Sequence, residues 1–155
     1  MRNPLLALCT LLLLHVAPQA NAGYPFVANQ GRQLCWFDET GGLTAKLELK
    51  KAPHDMHQLR NGNWLTHQGT EVIEIDQTTR RIVWSFETKK LATVDRVELH
   101  SVVPLPDGNL MVALSGEGKL YEIDRLGEVQ SSFPFRIQSP HPHRDTRLVR
   151  LVMKE

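Results

Sequence analysis

HDMHQLRNGNWLTHQGTEVIEIDQTTRRIVWSF, residues 54–86, reads as one complete four-strand sheet unit. Arg60-Asn61-Gly62-Asn63 is a turn, Trp64-Leu65-Thr66-His67 a short strand, and Gln68-Gly69-Thr70 a second turn. Glu71-Val72-Ile73-Glu74-Ile75 alternates polar and apolar residues, the period of a half-buried strand. Asp76-Gln77-Thr78-Thr79-Arg80 turns the chain again, and Ile82-Val83-Trp84-Ser85-Phe86 is the outgoing strand.

Imperfect copies lie on both sides. Before it, Phe26-Val27-Ala28, Arg32 to Phe37 and Thr44 to Leu49 read as strands, the last two joined by the turn Asp38-Glu39-Thr40-Gly41-Gly42. After it comes a linker, Glu87 to Arg96, with room for a short helix. Strands follow at Val97 to Leu105, Leu110 to Leu114, Lys119 to Ile123 and Val129 to Phe135. Gln138 to Asp145 is a loop rich in proline and histidine, and Arg147 to Val152 alternates in part as a last strand. Two turns recur in the same order. Asn61-Gly62-Asn63 and Asp107-Gly108-Asn109 lie 46 residues apart, and Glu74-Ile75-Asp76 and Glu122-Ile123-Asp124 lie 48 apart. Asp38 opens a similar turn 38 residues before Asp76. A recurrence of about 40–50 residues with four short strands each is the signature of β-propeller blades. A generic β-sandwich or meander is the alternative.

Ile75 to Trp84 resembles the tryptophan-docking motif of quinoprotein-type (PQQ-like, WD40-like) β-propellers. That motif runs Asp, two residues, Thr, Gly, then Trp four residues after the Gly. Asp76, Thr79 and Trp84 sit at matching places, with Arg80 where the glycine would be. Asp38 with Gly41 and Asp124 with Gly127 match in part and lack the Trp. The stretch from His100 to Asn109 is similar to secreted propellers of the arylsulfotransferase and quinoprotein-like groups. The resemblance implies that Asp76 and Thr79 hold a turn and that Trp84 docks one blade on the next. It does not carry over an activity. Quinoprotein dehydrogenases hold their cofactor on the axis of a complete ring beside an adjacent cysteine pair, and this chain has neither. No cofactor is expected, and no catalytic residue stands out.

The fold class expected is all-β, with about three four-stranded antiparallel blades, an incomplete ring where closed propellers have four to eight blades. Lettering each blade A to D from the inside, the strands run BCD, ABCD, ABCD, A. The chain is then a fragment of a longer reading frame, a protein that self-associates through exposed blade faces, or an open array. Arg2, the apolar run Leu5 to Leu14 and Ala20-Asn21-Ala22 have the layout of a cleaved signal peptide over residues 1–22. The apolar run is too short to span a bilayer. The mature domain would be Gly23 to Glu155, 133 residues of the 155, secreted or periplasmic. A net charge of +1 gives no reason to expect nucleic acid as a partner. One cysteine, Cys35, is left after signal removal, so no disulfide forms within the domain; it reads as a small buried hydrophobe.

Six histidines remain in the domain: His54, His57, His67, His100, His141 and His143. His54 and His100 fall at equivalent repeat positions, at the start of innermost strands, where imidazoles converge in a ring. His54, His100 and His143 are therefore the candidate metal ligands, although no compact ligand spacing is present. Asp55, Asp95 and Asp145 lie near the same strand starts, where they could orient histidines or cap turns. The function expected is a non-catalytic module for a protein or small ligand. The alternative is a piece of an arylsulfotransferase-like or quinoprotein-like enzyme, active only in a complete ring.

Overall fold

Three Asp-led turns set the architecture. Asp38 Oδ1 accepts the amides of Thr40 and Gly42 at 2.9 and 2.8 Å. Asp76 Oδ1 accepts those of Thr78 and Thr79 at 3.1 and 2.7 Å. Asp124 Oδ1 accepts those of Leu126 and Glu128 at 2.8 and 2.9 Å. Each carboxylate satisfies two donors that a tight turn would otherwise leave open. The strand entering each turn shifts register just before the Asp, at Trp36/Phe37, Glu74/Ile75 and Glu122/Ile123.

The computed structural model describes residues 23–135, 141, 143 and 146–152. Residues 1–22, where a signal peptide is expected, and most of the proline–histidine loop, Asp145 included, lie outside the described residues. Among the described residues, eleven strands make three antiparallel sheets. The first is β1 (Phe26–Gln30), β2 (Gln33–Phe37) and β3 (Leu43–Glu48). The second is β4 (Met56–Gln58), β5 (Trp64–Gln68), β6 (Glu71–Ile75) and β7 (Ile82–Glu87). The third is β8 (Glu98–Pro104), β9 (Leu110–Ser115), β10 (Lys119–Ile123) and β11 (Val129–Pro134). Within each sheet, neighbours in sequence are neighbours in space. The helix allowed in the linker is a 3₁₀ turn, Thr88–Leu91, capped by Glu87.

The sheets stack face to face. Leu34, Trp36 and Leu49 of the first unit pack against Ile73 and Ile75 of the second. Leu65 and Val72 pack against Leu99, Val102, Leu110, Val112, Leu114, Tyr121 and Ile123 of the third. Adjacent β6 residues thus serve opposite cores, as the two-residue strand period requires. Cys35 is buried in β2 and unpaired.

Two expectations are corrected. The alternation in β6 suggested a half-buried strand, but Val72, Ile73, Glu74 and Ile75 are all buried. The middle sheet is covered on both sides, and Glu74 tolerates burial because Asn61, Asn63 and Arg125 bond its carboxylate. Arg147 to Val152 forms no strand. No ladder partner lies beside it among the described residues, and side chains tether it instead: the Val149 amide reaches Ser101 Oγ at 3.2 Å.

Gly41 and Gly127 occupy matching turns with φ of +81° and +87°. Nothing lies near a Cβ built at Gly41, whereas one at Gly127 would strike the Phe86 ring of the neighbouring sheet. Gly41→Ala should therefore cost only the left-handed backbone penalty, about 1–2 kcal/mol. Gly127→Ala should cost about 2–5 kcal/mol, because crowding adds to that penalty. Urea unfolding of the two variants checks the difference, and equal losses would argue against tight stacking of the second and third sheets.

Candidate functional site

β4 and β8 are edge strands of their own sheets, yet they meet each other. The ladder between β8 and β9 skips His100, which is the extra residue of a bulge between Leu99 and Ser101. Bulges re-aim side chains. The His100 ring lies 4.8 Å from that of His54, just before β4, and 5.4 Å from that of His143. The His67 ring, on β5, lies 5.8 Å from that of His54.

His67 is fully engaged. Its Nε2 accepts the His54 amide at 2.9 Å, and its Nδ1 lies 3.2 Å from the Gly69 carbonyl. This pattern places the ring proton on Nδ1. Burial lowers its pKa to about 4, outweighing the carbonyl bond that favours the charged ring. His100 is equally buried, but neither of its nitrogens makes a hydrogen bond. Its Nε2 lies 3.1 Å from Glu98 Oε2, misaligned for one. Burial and the neighbouring His54 push its pKa down. Glu98 Oε2 also lies 2.6 Å from His143 Nδ1, and this bond holds the Glu98 carboxyl below its ordinary range. His54, His67, Glu98 and His100, with Lys51 and the backbone around Gly69, line a cavity of about 390 Å³. A wider groove of about 690 Å³ lies at the opposite ends of the same strands, among the turns at Asn61 and Asp107, and has no histidine.

Of the candidate ligands, His100 and His143 share one cluster with Glu98, their donor atoms all within 4.8 Å of one another. His54 stacks on His100 but is outside that donor set. Glu98 was missed; it stands two residues before His100 on a strand, a spacing that can put both on one face. Asp55 is buried and does more than cap a turn. It accepts from Ser101 Oγ at 2.6 Å and from Arg150 at 3.0 and 3.1 Å, with His57 Nε2 3.2 Å away. Burial disfavours its charge, yet the nearby His57 ring and the bonds from Arg150 and Ser101 prevail and hold its carboxyl well below the usual range. Asp95 is exposed and outside the cluster.

Asp76 also accepts from the Thr79 hydroxyl at 2.8 Å. Trp84 reaches the third sheet: its indole N–H donates to the Arg125 carbonyl at 2.9 Å. The Arg125 guanidinium stacks 4.0 Å over the Trp84 ring and pairs with Glu74. Arg80, in the glycine place of the motif, adopts φ of +58° and lies 4.9 Å over Trp36 of the first sheet.

No family model and no curated protein matches the sequence. Solved structures do match. A protein of unknown function from Bacteroides caccae superposes with a TM-score of 0.54 at 23% identity, over 65% of this chain and 41% of that one. Streptogramin B lyase gives 0.51 at 13% identity, over 67% of this chain and 34% of the lyase. The WD40 domain of Neurospora crassa Pan2 gives 0.50 at 16% identity, over 83% of this chain and 43% of that one. The fold is propeller-like. At these identities the likeness concerns the fold alone, and this chain spans less than half of each of those structures.

Trp84→Ala should cost about 3 kcal/mol, the low end for a large aromatic that is only partly buried. Trp84→Phe should cost about 1 kcal/mol for the lost indole hydrogen bond. Denaturant midpoints decide it: a near-neutral Trp84→Ala would mean that the ring does not dock the sheets.

His67 gives a pH dependence of known sign. The unfolded ring takes a proton near pH 6.5, and the folded ring resists until about pH 4. Stability is therefore full above pH 6.5 and falls as the pH drops toward 4, by about 3 kcal/mol from this residue. His100 adds to the slope in the same sense. In His67→Gln, whose amide can both donate and accept, the urea midpoint should fall less steeply across that window. An unchanged slope would rule out a buried neutral His67.

Proposed function

We propose that the chain is an exported, propeller-type module that binds a small polar ligand at the mouth between the segment before β4, the turn after β5 and the start of β8. One observation carries the reading. Three histidines, Lys51 and Glu98 converge on a cavity of about 390 Å³ beside the start of β8. Pockets of this size with a few convergent polar groups are the usual form of small-ligand sites. The turn pattern at Asp76, Thr79 and Trp84 supports kinship with quinoprotein-type propellers, which vary widely in activity. Export rests on the N-terminal signal pattern. Among the described residues no helix is long and apolar enough to cross a membrane.

A second reading makes the chain a working part of a larger propeller enzyme. It is favoured by the first sheet, which among the described residues has three strands where the other two sheets have four. The intact mass of the protein from its own source separates this from the leading reading.

Histidine-ring NMR tests the binding site, with a panel of amino acids, citrate and inorganic phosphate as probes. At least one probe should shift the His54 and His67 resonances saturably. The shift should disappear in Lys51→Ala and His54→Ala. No saturable response to any member would count against the site. Export is tested by fractionation and mass: the mature protein should start at Gly23 and leave the cytoplasm.

A further inference from the structure

We propose that Glu98, His100 and His143 form a binding site for a divalent transition-metal ion. The inference rests on the ligand-binding reading above and names one ligand class for the same mouth. Two independent observations carry it.

The first is the donor set. Glu98 Oε2 lies 2.6 Å from His143 Nδ1 and 3.1 Å from His100 Nε2. The three donor atoms lie within 4.8 Å of one another, the only such group of three or more among the described residues. A tetrahedral zinc ion with ligands at about 2.0–2.1 Å needs donors about 3.3 Å apart. To bind an ion the three side chains would rotate to that spacing, and His143 Nδ1 would release to solvent the proton it now directs at Glu98. Two imidazoles and one carboxylate leave a fourth position open, as at zinc sites that also take water or a ligand. Imidazole-rich sets suit zinc, copper, nickel and iron over magnesium or calcium.

The second is His100 itself. It is 1% exposed, and neither ring nitrogen makes a hydrogen bond. A buried unsatisfied polar group is costly and calls for a reason. The β8 bulge that leaves His100 out of the ladder is local irregularity spent on aiming this ring. A metal ion would give Nε2 its missing partner, leaving the ring proton on Nδ1.

The neighbours divide the roles. His67 spends both nitrogens on backbone groups and has no lone pair to offer. Arg147 lies 3.4 Å from His143 Nε2, on the far side of that ring from Glu98. Its long side chain can swing away when His143 rotates onto an ion.

Zinc chloride titrated calorimetrically into the full purified chain at pH 7.5 tests the site, with cobalt(II) substituted for its visible spectrum. The expected result is one ion per chain and a visible band of low-coordinate cobalt. His100→Ala and Glu98→Gln should each weaken binding at least about 10-fold. His143→Ala should do the same, and because His143 is exposed the fold should survive, as circular dichroism will show. His57→Ala, a histidine outside the donor set, should leave the affinity unchanged. No zinc binding, or full affinity in His143→Ala, overturns the proposal, as does equal loss in His57→Ala. If zinc fails while the small-molecule panel still shifts the histidine resonances, the metal site falls and the binding-module reading stands. If both fail, both fall.

Discussion

A sheet of short strands has two faces, and the middle sheet of this protein can leave neither of them in water. Ile73 and Ile75 point one way, Leu65 and Val72 the other, and all four are completely buried. Each side chain of that size gains about 1.5–3 kcal/mol by burial, so removing either flanking sheet would forfeit several kcal/mol at once. The three units therefore stand or fall together, as stacked repeats do. Polar groups at the seams are arranged to fit. Arg125 presents its carbonyl to the Trp84 indole, its guanidinium to the Trp84 face and its charge to Glu74. At the other seam Arg80 covers Trp36. An arginine over an indole is worth about 0.5–2 kcal/mol and excludes water from the edge of the apolar core.

Much of this was legible in the sequence because its causes are local. An Asp that bonds amides two to four residues on, with a glycine in the left-handed conformation behind it, announces a turn without reference to the rest of the chain. The repeat became visible because the same solution is used at matching positions. Asn63 donates to Glu74 at 2.6 Å, and Asn109 donates to Glu122 at 2.8 Å. The last strand was misjudged for the same reason. Arg147 to Val152 has the local alternation of a strand, but a strand also needs a neighbour, and alternation says nothing about neighbours. Glu74 misled in the opposite direction, since its partner Arg125 lies 51 residues away.

The candidate site was legible by half. The repeat alignment brought His54 and His100 to equivalent places, and their rings do meet. What alignment cannot show is which nitrogen is free. The two-residue spacing of Glu98 and His100 is visible in the sequence, but the bulge that frees His100 from the ladder is a one-residue event with no signature in side-chain pattern. Asp55 meets Arg150 across 95 residues, a pairing visible only once the inner strands and the C-terminal segment are in place.

The contrast between His67 and His100 carries the functional meaning of the mouth. Both rings are 1% exposed, so both have given up their hydration. His67 is compensated twice, by the His54 amide and the Gly69 carbonyl, and its place is explained by the fold alone. His100 receives no such bond. Leaving a buried polar group unmatched costs about 1–3 kcal/mol, a large share of the stability of a domain this small. An apolar side chain in the same bulge would avoid that cost. A ring kept there with Nε2 unbonded and a carboxylate 3.1 Å away is set up for a partner that the fold does not supply.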